Sequence, residues 1–160
     1  LATTTLLLAT AACRTTQAPV AQQTPRTTAV RPFLMFQDGR AEEAINRYVE
    51  VFGDAGVIFI DRYGPNDIGA VEGSIQHAVF EVHGQRIGVT ESPIRHSFDF
   101  TPAVSLFVDF DSAEELDRVF AALSEGGFVM MPLDNYGFSE RFAFIQDRYG
   151  VSWQLNLPAE

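Results

Sequence analysis

The side chains that could carry out chemistry are few and lie far apart in the sequence. His77 lies in an apolar strand pattern, HAVF, and Glu91 follows the next strand pattern. An imidazole can take up or release a proton near neutral pH, and a carboxylate can act as a base or hold a cation. His77 and Glu91 are therefore candidate catalytic residues. A hydrogen-bonded structural histidine and a surface carboxylate at a strand end are the alternatives.

Two polar side chains fit the wall of a cavity. Ser105 has no histidine and acid beside it that the sequence can identify as a nucleophile site, so we interpret it as a cavity-lining hydroxyl. Gln154 lies in a strand pattern in which polar residues alternate with apolar ones such as Trp153. Because successive strand residues point to opposite faces, this pattern predicts a polar stripe on one face and a buried Trp153 under a helix.

Loops supply further candidates. Tyr136 and Phe138 lie in a polar loop, where they could close over a ligand or only cap one end of the fold. His96 lies in an aromatic segment that could cover part of a cavity, so it could contact a ligand. His83 precedes Gly84 in a turn pattern, which indicates an exposed structural residue.

An internal repeat indicates which elements position these residues. The apolar run Leu34–Phe36 precedes the helical pattern Ala41–Tyr48, and Leu106–Val108 precedes Ala113–Phe120 in the same way. A shift of 72 residues superimposes the two helical patterns, AEEAINRY and AEELDRVF. Internal repetition decides architecture before any other signal, so we predict two copies of one module.

Each module is predicted to have the order βαβββ. The modules span 32–91 and 103–158, and the linker is 92–102. Asp38 is the expected cap of the first helix, and the spacing of Ser112 and Glu115 is typical of a capping box on the second. The predicted strands are 33–37, 57–63, 74–82, 86–90, 103–110, 128–132, 141–146 and 151–157.

Composition narrows the classes of partner. The chain has 160 residues, 46% of them hydrophobic, and a formal net charge of −10. That length is typical of one domain with its own core. The sequence has no basic stripe, which argues against a nucleic-acid partner. An acidic surface favours cationic ligands, although it could serve solubility alone.

The first 31 residues differ from the rest. Residues 1–13 form a short apolar run that ends in small residues and Cys13, as at the end of a secretory signal. The ending Thr-Ala-Ala-Cys resembles the lipobox of bacterial lipoproteins, which implies lipidation of Cys13, a lipid anchor and a bacterial cell-envelope location. We expect part of the signal to precede the printed sequence. Residues 14–31 have the composition of a disordered tether. The alternative is a Thr/Ala-rich tail with an incidental thiol.

Longer motifs in the domain 32–158 resemble a known family. They are PFLMFQDGRAEEAINRY, QHAVFEVHG, ESPIRHSFDFTPAVSLFV, EGGFVMMPLDNYGFSERF and QDRYGVSWQLNL. They resemble the PhnB-like family of the vicinal oxygen chelate (glyoxalase/bleomycin-resistance) superfamily. The resemblance implies an α+β fold in which paired βαβββ modules form a curved eight-stranded sheet around a cavity. It also implies a homodimer.

The resemblance assigns four cavity positions. Superfamily enzymes place metal ligands on the first and last strand of each module, and the equivalent positions here are Phe33, Gly88, Ser105 and Gln154. These side chains are poor metal ligands, so we expect neither a metal nor another cofactor. The family is often labelled 3-demethylubiquinone-9 3-methyltransferase, but the sequence lacks the glycine-rich turn that usual methyltransferases need.

Three hypotheses about function follow. The first is a metal-independent protein that binds a small molecule, of cationic or aromatic character, in the cell envelope; its ligand site would include Phe33, His77, Gly88, Ser105 and Gln154, with Tyr136 and Phe138. The second is an enzyme acting on a small metabolite, such as a lyase, isomerase or dioxygenase. The third is an interaction module with a vestigial cavity.

Overall fold

The computed structural model describes residues 29–159 as an α+β fold of eight strands and two helices. The element order is βαβββ twice, which confirms the predicted repeat. The elements are β1 (Phe33–Phe36), α1 (Ala41–Val51), β2 (Gly56–Arg62), β3 (Ile75–Val82), β4 (Gln85–Glu91), β5 (Leu106–Asp109), α2 (Ala113–Ser124), β6 (Phe128–Asp134), β7 (Arg141–Gln146) and β8 (Ser152–Leu157).

The strands form two four-stranded sheets with the same internal order. The first sheet runs β1-β4-β3-β2 and the second runs β5-β8-β7-β6. In each sheet the first strand of the module lies parallel to the last, whereas the other pairs are antiparallel. The resemblance to the vicinal oxygen chelate fold is therefore confirmed at the level of modules.

Helix α1 begins with a cap that the sequence did not indicate. The Glu91 carboxylate accepts hydrogen bonds from the backbone N–H groups of Gly39 (2.8 Å) and Ala41 (3.0 Å). Asp38 binds the Arg40 side chain instead, so the expectation that Asp38 caps this helix is wrong. A carboxylate at a helix N-terminus satisfies free N–H groups and opposes the positive end of the helix dipole.

Helix α2 starts as its local sequence indicates. The Ser112 hydroxyl accepts a hydrogen bond from the backbone N–H of Glu115 at 3.3 Å. This contact is the first half of the predicted capping box. Both helices place apolar residues at helical spacing against the sheets, and the buried residues of α2 are Leu116, Val119 and Leu123.

One hydrophobic core serves both modules. Tyr48 of α1 stacks on Phe80 of its own module at 5.6 Å and meets the Trp153 ring of the second module edge-on at 5.1 Å. Phe52 also contacts Trp153, at 5.2 Å between ring centroids. Trp153 is 1% exposed, so its predicted burial is confirmed.

A buried carboxylate ties this core together. Asp147, in the turn between β7 and β8, accepts hydrogen bonds through Oδ2 from the Tyr48 hydroxyl (2.8 Å) and the Trp153 indole (2.8 Å). Its Oδ1 accepts the backbone N–H groups of Tyr149 (2.9 Å) and Val151 (3.0 Å). Burial raises the pKa of the Asp147 carboxyl, although these four donors favour the charged form.

The amino-terminal predictions fall outside the described part of the chain. Cys13 and the segments 1–13 and most of 14–31 lie before residue 29. Within residues 29–159, no helix combines the length and the apolar character that a membrane crossing requires.

Replacing Asp147 with Asn tests the importance of this carboxylate. The amide nitrogen cannot accept a hydrogen bond, so two buried donors lose their partner, and we expect the free energy of unfolding to fall by about 3 kcal/mol. Urea denaturation measures this. Asp111→Asn, at an exposed position before α2, is the matched control and should change stability by less than about 0.5 kcal/mol. Equal stability of the two variants would contradict the role of Asp147.

Candidate functional site

Each sheet has one face covered by helices and one opposite face, here called its outer face. Directly paired residues point to the same side of a sheet, so the strand register shows which side chains share a face. In the first sheet, one outer row contains Phe33, Gly88, Val79 and Phe59. His77 is on the same face and contacts the rings of Phe33 (5.7 Å) and Phe59 (5.0 Å).

Phe33 and Gly88 are adjacent, as the resemblance implied. The Phe33 ring lies against Gly88 so closely that an added Cβ there would be 2.5 Å from Phe33 Cδ2. Glycine is therefore required at this position while the ring stays in place. The two side-chain positions together present a phenyl ring, and they offer no polar atom to a ligand.

The register corrects one equivalence between the modules. Leu34 pairs with Val89, and its counterpart Leu106 pairs with Trp153. The equivalent of Gln154 is therefore Thr90, two residues beyond Gly88. The alignment of glycine turns that suggested Gly88 failed because the β3–β4 and β7–β8 turns differ in length. Thr90 is also a poor metal ligand, so the expectation about metals is unaffected.

The outer face of the second sheet is more polar at its centre. Gln154 donates a hydrogen bond from Nε2 to the Ser105 hydroxyl at 2.7 Å, so these two predicted positions lie together. The predicted polar stripe is confirmed, because Ser152, Gln154 and Asn156 pair with outer-face residues of β7. Gln154 and Asn156 are only partly buried and can reach a ligand.

Aromatic rings lie beside this polar centre, since Phe107 pairs with Gln154 on the same face. Phe142 lies in the row of Asn156, and its ring contacts Phe138 at 5.2 Å, Tyr136 at 6.0 Å and Phe107 at 6.4 Å. Phe138 is 65% exposed and Phe107 is 54% exposed. We call Phe107, Tyr136, Phe138 and Phe142 the aromatic cluster. The predicted loop residues Tyr136 and Phe138 thus belong to the same face as Ser105 and Gln154.

A carboxylate lies beside the aromatic cluster. Asp109 follows Phe107 by two residues on β5 and pairs with Asn156. The Asn156 amide donates a hydrogen bond from Nδ2 to Asp109 Oδ1 at 2.6 Å. Asp109 is exposed, so its second oxygen can still contact solvent or a ligand.

The structure does not bring His77 and Glu91 together. Glu91 pairs with Phe36, a core residue, and both of its oxygens cap helix α1. His77 pairs with Asp61 on the outer face. Two groups on opposite faces of one sheet cannot exchange a proton with the same ligand, so they do not form an acid–base pair.

The other two histidines have structural partners. The His83 Nδ1 lies 2.8 Å from Asp54 Oδ2. His83 is exposed in the β3–β4 turn, as expected. His96 stacks on Phe98 at 4.9 Å, and its backbone N–H donates a hydrogen bond to Gln37 Oε1 at 2.6 Å. The linker therefore packs on the first module near β1, and its residues 99–101 line a groove of about 300 Å³ that Phe33 and Ser105 also line.

The donor set does not fit a metal of the kind that the superfamily binds. At the equivalent positions of the first module, Phe33 presents a phenyl ring and the Thr90 hydroxyl donates to the Gln76 carbonyl. In the second module, the Ser105 hydroxyl and the Gln154 amide are hydrogen-bonded to each other. Among the described residues, His, Cys, Asp and Glu form no group of three that could hold a metal ion. Divalent transition metals need several such ligands.

Sequence reasoning missed Phe107, Phe142 and Asp109, and it placed Asn156 in the polar stripe without its carboxylate partner. The first and third share a face with Ser105 because strand residues alternate, so the period of two in β5 could have revealed them. Phe142 and Asn156 come from other strands. Their place depends on the pairing of β7 with β8 and of β8 with β5, which the sequence alone does not specify.

Comparison with known proteins agrees with this geometry. The family model described as 3-demethylubiquinone-9 3-methyltransferase matches residues 28–156. The structure of the PhnB protein from Bacillus cereus, described with the same activity, is 43% identical with a TM-score of 0.77, and the match covers 81% of this chain and 99% of that chain. A Pseudomonas aeruginosa protein is 27% identical with a TM-score of 0.70, covering 84% of this chain and 100% of that one. Among curated proteins, no match was found.

A more distant structure shows the fold alone. The fosfomycin resistance protein FosX from Listeria monocytogenes, solved with Mn(II) and 1S,2S-dihydroxypropylphosphonic acid, is 14% identical with a TM-score of 0.58; the match covers 84% of this chain and 94% of that chain. Usual methyltransferases have a doubly wound parallel sheet. The two mixed sheets of this chain differ from it, so the fold gives no support to the methyltransferase description. The chain belongs to the PhnB-like family, described as 3-demethylubiquinone-9 3-methyltransferase, within the vicinal oxygen chelate superfamily.

Proposed function

We propose that this protein binds a small organic molecule, without a metal, on the outer face of its second sheet. The observation that carries the proposal is that the exposed rings Phe107 and Phe138, packed on the buried Phe142, lie on the same face as the Ser105–Gln154 hydrogen bond. Small-molecule sites typically combine apolar walls with a few polar groups that fix orientation. Here the aromatic rings supply the apolar wall, and the Gln154 amide and the Ser105 hydroxyl supply the polar groups.

The proposal favours a ligand with an aromatic or cationic part. Phe107 and Phe138 are more than half exposed, and aromatic rings in water gain by stacking on another ring. The net charge of −10 makes the surface as a whole attractive to cations. Polar atoms of Gln154 remain available, because only its Nε2 is engaged, by Ser105.

A titration with 2-phenylethanol tests binding at this face. We expect changes in the amide NMR signals of Phe107, Phe142 and Gln154, and these changes should persist in EDTA. Phe138→Ala should raise the dissociation constant about threefold to tenfold, because it removes one stacking ring. The control is Phe98→Ala, which removes a ring of similar exposure from the linker.

Two results would contradict the proposal. In the first, the two variants bind 2-phenylethanol equally well. In the second, EDTA abolishes the NMR changes and added zinc or manganese restores them, which would point to metal chemistry.

The proposal includes a homodimer. Strand β2 is at the edge of the first sheet, and its consecutive residues Val57, Ile58 and Phe59 are 43%, 48% and 42% exposed. Strand β6 is at the edge of the second sheet and begins with the exposed Phe128 and Val129. Exposed apolar residues along a free strand edge favour association with another chain.

Sedimentation equilibrium checks the dimer. We expect a mass of twice 17.7 kDa at micromolar concentration. Ile58→Glu should shift the chain toward the monomer, because it places a charge on the exposed edge. Ile68→Glu is the matched control, since Ile68 is 99% exposed in a loop. A monomer at all concentrations would overturn the dimer.

The proposal also places the protein in the bacterial cell envelope. Its basis is the single cysteine at the end of the apolar run 1–13, followed by the polar stretch 14–31. A lipid on Cys13 would anchor the chain, and the folded domain would bind compounds at the membrane surface.

Cell fractionation tests the anchor. We expect the full-length protein, expressed in bacteria, to sediment with membranes and to carry an acyl mass on Cys13. The Cys13→Ser variant should lose both properties, whereas Thr10→Ser should keep them. An unmodified thiol in the membrane-free fraction would refute the anchor.

A further inference from the structure

We propose that Asp109, held by Asn156, selects ligands in which a protonated amine is attached to an aromatic ring. This inference rests on the proposed binding at the outer face of the second sheet and names the ligand class for it. Asp109 would be a specificity-determining residue, because its carboxylate would contact the amine directly.

The charge of this face supports the choice of an amine. By the strand register, the outer-face side chains of β5 to β8 are aromatic, aliphatic, hydroxyl, amide or carboxylate, and none of them is basic. Asp109 lies in one row with Asn156 and Phe142, and Asp134 is at the other end of that row. A ring stacked on the exposed Phe107, two residues before Asp109 on the same face, therefore lies beside a carboxylate and meets no basic side chain of that face, which favours a cation over an anion.

The geometry favours Asp109 over Asp134 as the partner of the amine. Asp134 Oδ1 accepts the backbone N–H of Asn135 at 2.8 Å, so this carboxylate helps to form its own turn. Asp109 is oriented by a side-chain amide, and Phe107 beside it is 54% exposed. The Asn156 amide fixes one oxygen of Asp109 and leaves the other for a ligand.

The spacing along β5 sets the length of the ligand. Asp109 and Phe107 are two residues apart on this strand, which is about 7 Å. Their side chains extend from the same face, so a ring stacked on Phe107 and an amine on a two-carbon chain can reach both partners. Phenethylamine has this form.

The histidine that shares a groove with Asp109 does not oppose this assignment. Asp109 also lines a groove of about 180 Å³ that includes His83 and Gln85 from the β3–β4 turn. The His83 imidazole is engaged with Asp54, 2.8 Å away.

Three phenyl compounds with different charges test the inference on the full chain. They are phenethylamine (cationic), 2-phenylethanol (neutral) and phenylacetate (anionic), and NMR titration gives each dissociation constant. We expect phenethylamine to bind about fivefold more tightly than 2-phenylethanol, because an exposed ion pair contributes modestly, and phenylacetate to bind most weakly.

Asp109→Asn should make phenethylamine and 2-phenylethanol bind equally, because the amide keeps the shape and removes the charge. Asp111→Asn is the charge-matched control two residues away, and it should retain the fivefold preference. Thermal unfolding of both variants should match that of the parent chain.

The outcomes separate this inference from the proposed function. If phenethylamine and 2-phenylethanol bind the parent chain equally, selection by Asp109 is refuted, whereas binding at the aromatic cluster stands. If Asp111→Asn removes the preference as well, the selectivity comes from net charge and the assignment to Asp109 is wrong. If none of the three compounds binds, the proposed function itself fails at this face.

Discussion

The shared core depends on the burial of one carboxylate, Asp147, with enough donors around it. Removing a carboxylate from water is costly unless its oxygens are hydrogen-bonded, and here each oxygen accepts two donors. One donor, the Tyr48 hydroxyl, belongs to the first module, and the other three belong to the second. The same interaction therefore satisfies the turn before β8 and connects the two modules, and Trp153 can be buried only because its indole N–H is satisfied there.

This turn also positions the candidate site. Strand β8 begins at Ser152, directly after the residues that Asp147 holds, and its alternation places Trp153 and Leu155 in the core and Gln154 and Asn156 on the outer face. A shift of one residue would exchange the two sets and expose Trp153. The burial of the tryptophan thus determines where the ligand-facing amides lie. Sites on strands fixed in this way are more precise than sites on loops.

Local signals predicted much of the fold, and nonlocal contacts account for the errors. Helix periodicity, the Ser112 cap and the alternation in β8 act over a few residues, and the structure has all three. The cap of α1 comes instead from Glu91, about fifty residues along the chain, so no local pattern could identify it. The equivalence of Gln154 with Thr90 and the clustering of Phe142 with Phe107 likewise follow from strand pairing, which a single sequence does not specify.

The two modules share a backbone plan but differ in what their outer faces offer. In the first, the Phe33 ring lies on Gly88, so this part of the outer face presents only a phenyl ring. In the second, the counterpart of Phe33 is Ser105, whose hydroxyl accepts a hydrogen bond from the partly buried Gln154 amide. A duplicated module can keep its fold through the core while one copy fills its cavity position with its own ring. The copy that retains a small residue there is the one with room for a ligand, and for this reason we assign binding to the second sheet.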